Sequence, residues 1–151
     1  MNTSRPDANP AIVCPNREGR HRSDPSAANF NFRGNAYQAL GKYEESLRNY
    51  DEAIRLDPKS TIYLENRGNS YRLMGRWDEA FADYNKAIEL EPKSAARYNG
   101  RGDAYYYKPD YELAEADYTK AIELDPKNGL YWENRAITRR LLRNVEAAFA
   151  D

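Results

Sequence analysis

Few residues in this chain are equipped for catalysis. His21 is the one histidine and Cys14 the one cysteine, so no His/Cys set can hold zinc and no disulfide can close within the chain. No nucleophile stands with a base, and no glycine-rich phosphate loop or metal-ligand spacing occurs. The many carboxylates are of the kind that solvated helices carry. This pattern argues against an enzyme, a metal centre or any other cofactor. What is plentiful is hydrogen-bonding and aromatic chemistry, in amides, arginines and 13 tyrosines, and much of it recurs at one fixed interval.

Arg33, Arg67, Arg101 and Arg135 stand 34 residues apart. Such a column can line up guanidiniums for an acidic or nucleic-acid partner. Alternatively, each aliphatic stem packs between helices while its head reaches an acidic neighbour, with Asp83 and Asp117 as the candidates. Acidic residues interleaved on the same segments would cancel a basic stripe, so the structural role is preferred and nucleic acid is not expected. The overall charge agrees, since 23 Lys and Arg against 24 Asp and Glu leave a formal net charge of −1 and no field to attract polyanions or an anionic membrane.

The elements that carry these residues follow from the same interval. Asp57-Pro58-Lys59, Glu91-Pro92-Lys93 and Asp125-Pro126-Lys127 repeat at 34 residues, as do the columns Tyr50/Tyr84/Tyr118, Ala53/Ala87/Ala121, Ile54/Ile88/Ile122 and Leu56/Leu90/Leu124. Within a unit the apolar positions step by three and four, as in Ala80, Tyr84, Ala87 and Ile88, which is one face of a helix. Gly41 and Gly75 fall mid-unit, where a helix ending in a left-handed residue selects glycine. Each unit is therefore a helix pair. The acidic residue before each proline ends the second helix, and Ser26, Ser60, Ser94 and Asn128 are suited to N-cap the next. The units run 27–60, 61–94, 95–128 and, as a partial fourth that stops inside its second helix, 129–151. A repeat of this kind cannot bury its apolar face alone, so neighbours must stack. The expected fold is all-α, an α-solenoid.

Taken together, Asn66-Arg67-Gly68, Tyr71, Gly75, Trp77, Ala80, Tyr84, Ala87 and Pro92 resemble the tetratricopeptide repeat, or TPR. The resemblance implies a right-handed superhelix whose first helices line a concave groove that binds protein or peptide. Carried over position by position, the groove falls on Asn31, Asn35 and Gln38, then Glu65, Asn66, Asn69 and Arg72. It continues through Asn99, Asp103 and Tyr106 to Glu133, Asn134 and Arg140. Its amides suit the backbone of an extended peptide. Asn66 and Asn134 fall where some arrays carry an asparagine ladder, although Phe32 and Gly100 interrupt it. TPR domains that clamp a chaperone C-terminal carboxylate use lysine, arginine and asparagine. Asn35 and Asn66 fit that pattern, whereas Asn31, Ala96 and Gly100 stand where the cations belong, which predicts against chaperone-tail binding.

Gly34, Gly68, Gly102 and Ala136 form a column of small residues that lets paired helices approach. The Tyr37/Tyr71/Tyr105 and Tyr43/Trp77/Tyr111 columns are expected to fill the core. In the third unit Pro109 replaces the glycine, which predicts a rebuilt turn beside the aromatic run Tyr105-Tyr106-Tyr107. In the fourth, Arg139 and Arg143 break their columns and join Arg135 and Arg140 in a basic cluster, taken as a solvated end face; Asn144 onward reads as the start of a second helix. The chain then resembles part of a longer array, and its unfinished unit offers self-association as an alternative role. Residues 1–25, rich in proline and polar residues and bearing Arg17, Arg20, His21 and Arg22, are expected to form a disordered tail. No segment has the roughly 20 apolar residues of a membrane span or a continuous signal core, so a cytoplasmic protein-interaction scaffold is the expectation.

Overall fold

A computed structural model describes residues 26–150, with side chains as far as Arg143. The tail, with Cys14 and His21, lies outside the described residues, as does Asp151. Seven helices and no strands make up the described part: α1 (Ala27–Ala39), α2 (Tyr43–Leu56), α3 (Thr61–Leu73), α4 (Trp77–Leu90), α5 (Ala95–Tyr107), α6 (Tyr111–Leu124) and α7 (Gly129–Ala150). Each packs on the next, and α1 also touches α3 while α3 touches α5. First helices that meet across repeats lie on the inner side of the curve, so α1, α3 and α5 form the concave wall.

The turns obey the glycine logic where glycine is present. Gly41 and Gly75 adopt φ 71° and 72°, and Lys42 and Arg76 donate their N–H groups to Tyr37 and Tyr71 at 2.9 Å, closing α1 and α3 with the wide loop of a Schellman cap. The third turn corrects the sequence expectation. It is not rebuilt: Asp110 donates to Tyr105 at 2.9 Å, and Pro109 itself takes φ 32°. Proline lacks the N–H that Gly41 and Gly75 donate to Gln38 and Arg72 at 3.0 Å, and its ring resists this φ. Packing of α5 on α6 holds the turn in the common shape and leaves the strain at Pro109. Of the caps, Ser26 accepts from the Asn29 N–H at 3.3 Å and Asn128 from Leu130 at 3.1 Å. Ser60 and Ser94 hold the N-cap position without a side-chain bond.

The core is one tyrosine per hairpin. Tyr50, Tyr84 and Tyr118 are buried, as are Ala53, Ala87 and Ala121. Each ring lies under a first-helix glycine: a Cβ at Gly34 would clash with Tyr50 and one at Gly102 would meet Tyr118 at 2.9 Å. Glycine costs about 1 kcal/mol in a helix, less than the roughly 2 kcal/mol from burying a large apolar side chain. The other two aromatic columns are half-buried between repeats, with Phe81 stacked on Tyr105 at 4.4 Å.

The fourth unit also differs from expectation. Where the sequence reading starts a second helix at Asn144, α7 runs unbroken for 22 residues, because Arg143 offers no left-handed stop. Among the described residues no helix folds back over Ala136, which is exposed although Gly34, Gly68 and Gly102 are buried.

Candidate protein-binding groove

The arginine column is structural. Arg67 on α3 donates from Nε and Nη2 to both oxygens of Asp83 on α4, at 2.8 and 2.6 Å, and from Nη1 to Asp51 on α2 at 2.7 Å. Arg101 repeats this with Asp117 at 2.8 and 2.7 Å and with Asn85 at 2.7 Å. Arg33 reaches Asn49 at 3.1 Å and Arg135 reaches Thr119 at 3.4 Å. Arg67 and Arg101 thus each tie three helices together. The Asp83 hydrogen bonds favour charged Arg67, while burial lifts the Asp83 carboxyl against the pull of that guanidinium. The pair is charged, because a guanidinium keeps its proton and both carboxylate oxygens accept from it. In the fourth unit Arg135 covers Trp132 and Arg139 pairs with Glu115; Arg140 and Arg143 are exposed.

On the inner wall the carried-over residues are wired to one another. Asn66 donates to Asn31 at 2.8 Å and Asn134 to Asn99 at 3.0 Å, so each bond links first helices of successive units. The interrupted ladder is thereby rebuilt in two rungs, with Asn31 and Asn99 standing one residue ahead of Phe32 and Gly100. Gln38 donates to Ser70 Oγ at 2.9 Å and to the Asn66 carbonyl at 3.3 Å; Ser70 in turn meets buried Ser46 at 2.8 Å. Asn35, Asn69 and Asp103 accept from the hydroxyls of Tyr50, Tyr84 and Tyr118 at 2.7, 2.8 and 2.8 Å. From the first helices, Asn35, Asn69 and Asp103 thus anchor the core tyrosines.

Charge concentrates in the middle. Glu65 pairs with Arg97, which also holds Glu91 at 2.9 Å; Thr61 donates to Glu91 at 2.7 Å. Burial raises the Glu65 carboxyl, opposed by Arg97. The Thr61 hydroxyl and then Arg97 lower that of Glu91. Arg72 lies over the Tyr107 ring at 4.6 Å. Tyr106 meets Tyr107 and Tyr111 edge-on at 5.5 and 5.8 Å. Glu133 and Arg140 stand exposed on α7, outside this wiring. Sequence reasoning missed Arg97 and Ser70, and it missed that Tyr107, Leu130 and Ile137 close a cavity against Asp103. The Arg97 link was marked only by opposite charge 32 positions from Glu65.

Stacked helix pairs with a polar inner wall define a helical-repeat solenoid. The chain belongs to the tetratricopeptide repeat family: the TPR repeat model matches residues 34–75 and 68–108, and the Tetratricopeptide repeat model matches 95–128. Solved structures agree. The first TPR domain of human RPAP3 is 27% identical with a TM-score of 0.72, the match covering 82% of this chain and 98% of that one. The first TPR of Spaghetti (RPAP3), described as bound to the HSP90 peptide SRMEEVD, is 27% identical with a TM-score of 0.69, covering 78% and 96%. The Sgt2 TPR domain from Aspergillus fumigatus, at 24% identity and a TM-score of 0.71 over 92% and 88%, supports the fold alone. Among curated proteins none matches the chain. No described helix is long and apolar enough to cross a membrane, and no described cluster of His, Cys, Asp or Glu could hold a metal ion.

Proposed function

We propose that this chain is a protein-interaction scaffold that holds an extended peptide or a helix of a partner protein along the wall made by α1, α3, α5 and α7. The observation that carries this reading is the wired amide row. Asn66 and Asn134 each spend one bond on a neighbouring amide and keep further donor and acceptor capacity, so the lining is already ordered before a ligand arrives. The Spaghetti domain's peptide complex supports the general mode. A chaperone tail fits this groove less well, because Asn31, Ala96 and Gly100 bring no charge and Glu65 adds a carboxylate beside Gly100.

Selection of a random-peptide display library on residues 26–151 tests the reading. Selected peptides should lose binding to the Asn66→Ala, Arg72→Ala double variant at unchanged helical circular dichroism. They should keep it on Lys86→Glu, an exposed change on α4. Binders that ignore the double variant and respond to Lys86→Glu would overturn the groove as the site.

A second reading rests on α7. Ala136 is uncovered, and Trp132, one turn earlier on the same face, is 45% exposed, which offers a face to a second copy. Light scattering over a dilution series tests it, and a monomer at every concentration removes it.

A further inference from the structure

Between α5, α6 and α7 lies a cavity of about 300 Å³ lined chiefly by Asp103, Tyr106, Tyr107, Tyr118, Leu130 and Ile137. Its one charged lining group is the Asp103 carboxylate. Oδ1 accepts from the Tyr118 hydroxyl at 2.8 Å and from Asn134 at 3.4 Å, and Oδ2 from Asn99 at 3.2 Å. A carboxylate accommodates about four donors, so one direction is open.

Three comparisons give this carboxylate a purpose beyond the fold. Asp83 and Asp117 are each gripped by an arginine fork, whereas among the described residues Asp103 has no ion-pair partner. In the two preceding units the same position, accepting from the same core tyrosine, is the neutral Asn35 or Asn69; the structural task therefore needs no charge. The third unit alone surrounds the position with extra rings, since Tyr106 and Tyr107 occupy positions that hold Arg72 and Leu73 one unit earlier. Ring faces carry negative potential and attract cations, most strongly where water is excluded. The cation whose charge acts on Asp103 is Arg72 of α3, which sits against the Tyr107 ring, outside the cavity lining.

We propose that this cavity receives the cationic end of a side chain, an alkylammonium or guanidinium, from the peptide held in the groove, with Asp103 as its counter-charge and the tyrosine rings as its walls. The proposal rests on the groove reading and names one of its subsites. The volume lies at the small end for ligand sites, which suits one side-chain head rather than a whole small molecule. Leu130 and Ile137 would flank the aliphatic stem as it leaves the cavity.

The test uses the full chain and defined probes: n-butylammonium, n-butylguanidinium, neutral n-butanol, and the capped peptides Gly-Lys-Gly and Gly-Leu-Gly. The readout is the ring and side-chain NMR shifts of Tyr106, Tyr107, Tyr118 and Asn134. The cations and the lysine peptide should saturate these shifts, and n-butanol and the leucine peptide should not. Asp103→Asn, which copies the residue of the earlier units, should weaken the cations about tenfold or more. Tyr106→Leu should weaken them severalfold, and Arg72→Met should strengthen them by removing a competing charge. Equal binding of n-butanol, or Asp103→Asn at wild-type affinity, overturns the proposal. A lysine peptide no tighter than free n-butylammonium overturns the peptide as the source of the cation. Because the small probes report on the cavity directly, their binding is separable from the library selection: cation shifts in a chain that selects no groove peptide would fault the groove reading and leave the cavity standing.

Discussion

The Tyr118 hydroxyl donates to the Asp103 carboxylate at 2.8 Å, in the geometry by which Tyr50 and Tyr84 address the amides of Asn35 and Asn69. At this position one chemical step, amide to carboxylate, separates the third unit from the first two. Burial raises the Asp103 carboxyl above its ordinary 3.8, opposed by the Tyr118 hydrogen bond and the charge of Arg72, and burial drives the Tyr118 phenol upward as well.

A carboxyl whose folded pKa exceeds its unfolded value contributes stability that is complete below the unfolded value and disappears as pH rises through the folded one. Asp103→Asn should therefore melt higher than the parent near neutral pH, on the order of 2 °C. Its advantage should shrink as the solution is acidified through the folded pKa of Asp103. Thermal melts by circular dichroism at neutral and acidic pH measure both. A variant that melts lower at neutral pH would mean that the charge itself holds the hairpin.

Arg67 sits in the other group of ties. The Asp83 side chain is 6% exposed and that of Arg67 23%, so removing the guanidinium strands a nearly buried carboxylate. Arg67→Leu should cost about 3 kcal/mol. Pairing it with Asp83→Leu should recover most of that loss, since the stranded charge is then gone and Asp51 is largely solvated. Urea melts of the parent, both single variants and the double variant close the cycle. Additive losses would show that the fork contributes nothing as a unit.

How much of this was legible before the structure depends on how far each relationship lies from the period. The hairpins, the Gly41 and Gly75 turns and the Arg67–Asp83 pairing all sit at fixed positions in the 34-residue unit, so their repetition marked them. The amide rungs were harder, because Asn31 and Asn99 replace the broken column from the neighbouring position and only the helix rotation shows that they still reach. The cavity was invisible, since it needs Leu130 and Ile137 of an irregular unit placed against Tyr107. At Arg143 the glycine is missing from the sequence, yet Asn144 onward reads as the start of a second helix. With no residue to reverse the chain, helical propagation simply continued.

Pro109 gives a local test of that turn logic. At φ 32° the pyrrolidine is strained, which costs about 1–3 kcal/mol, whereas the added freedom of glycine in the unfolded chain costs roughly 0.4–1 kcal/mol. Pro109→Gly should gain about 1 kcal/mol and raise the melting temperature by roughly 2–4 °C. It also restores an N–H able to donate to the Tyr106 carbonyl, as Gly75 does to Arg72. An unchanged or lower melting temperature would show that the turn relaxes around proline.

The last prediction concerns partner choice. SRMEEVD, the peptide held by the Spaghetti domain, presents several carboxylates to a groove in which Asn31, Ala96 and Gly100 carry no charge and Arg97 is already committed to Glu65 and Glu91. Amide donors bring no opposite charge to a carboxylate, unlike lysine or arginine, so calorimetry with the parent chain should detect at most weak binding. Installing the missing cations as Asn31→Lys, Ala96→Lys and Gly100→Arg should raise the affinity by about tenfold or more. Gly100 tolerates a side chain, since the nearest atom to its Cβ would be Glu65 Oε1 at 3.4 Å, and that carboxylate would help orient an incoming arginine. Tight binding by the unmodified chain would instead mean that its amides and Arg72 suffice to hold the carboxylates, and the assignment of this groove to other peptides would fall.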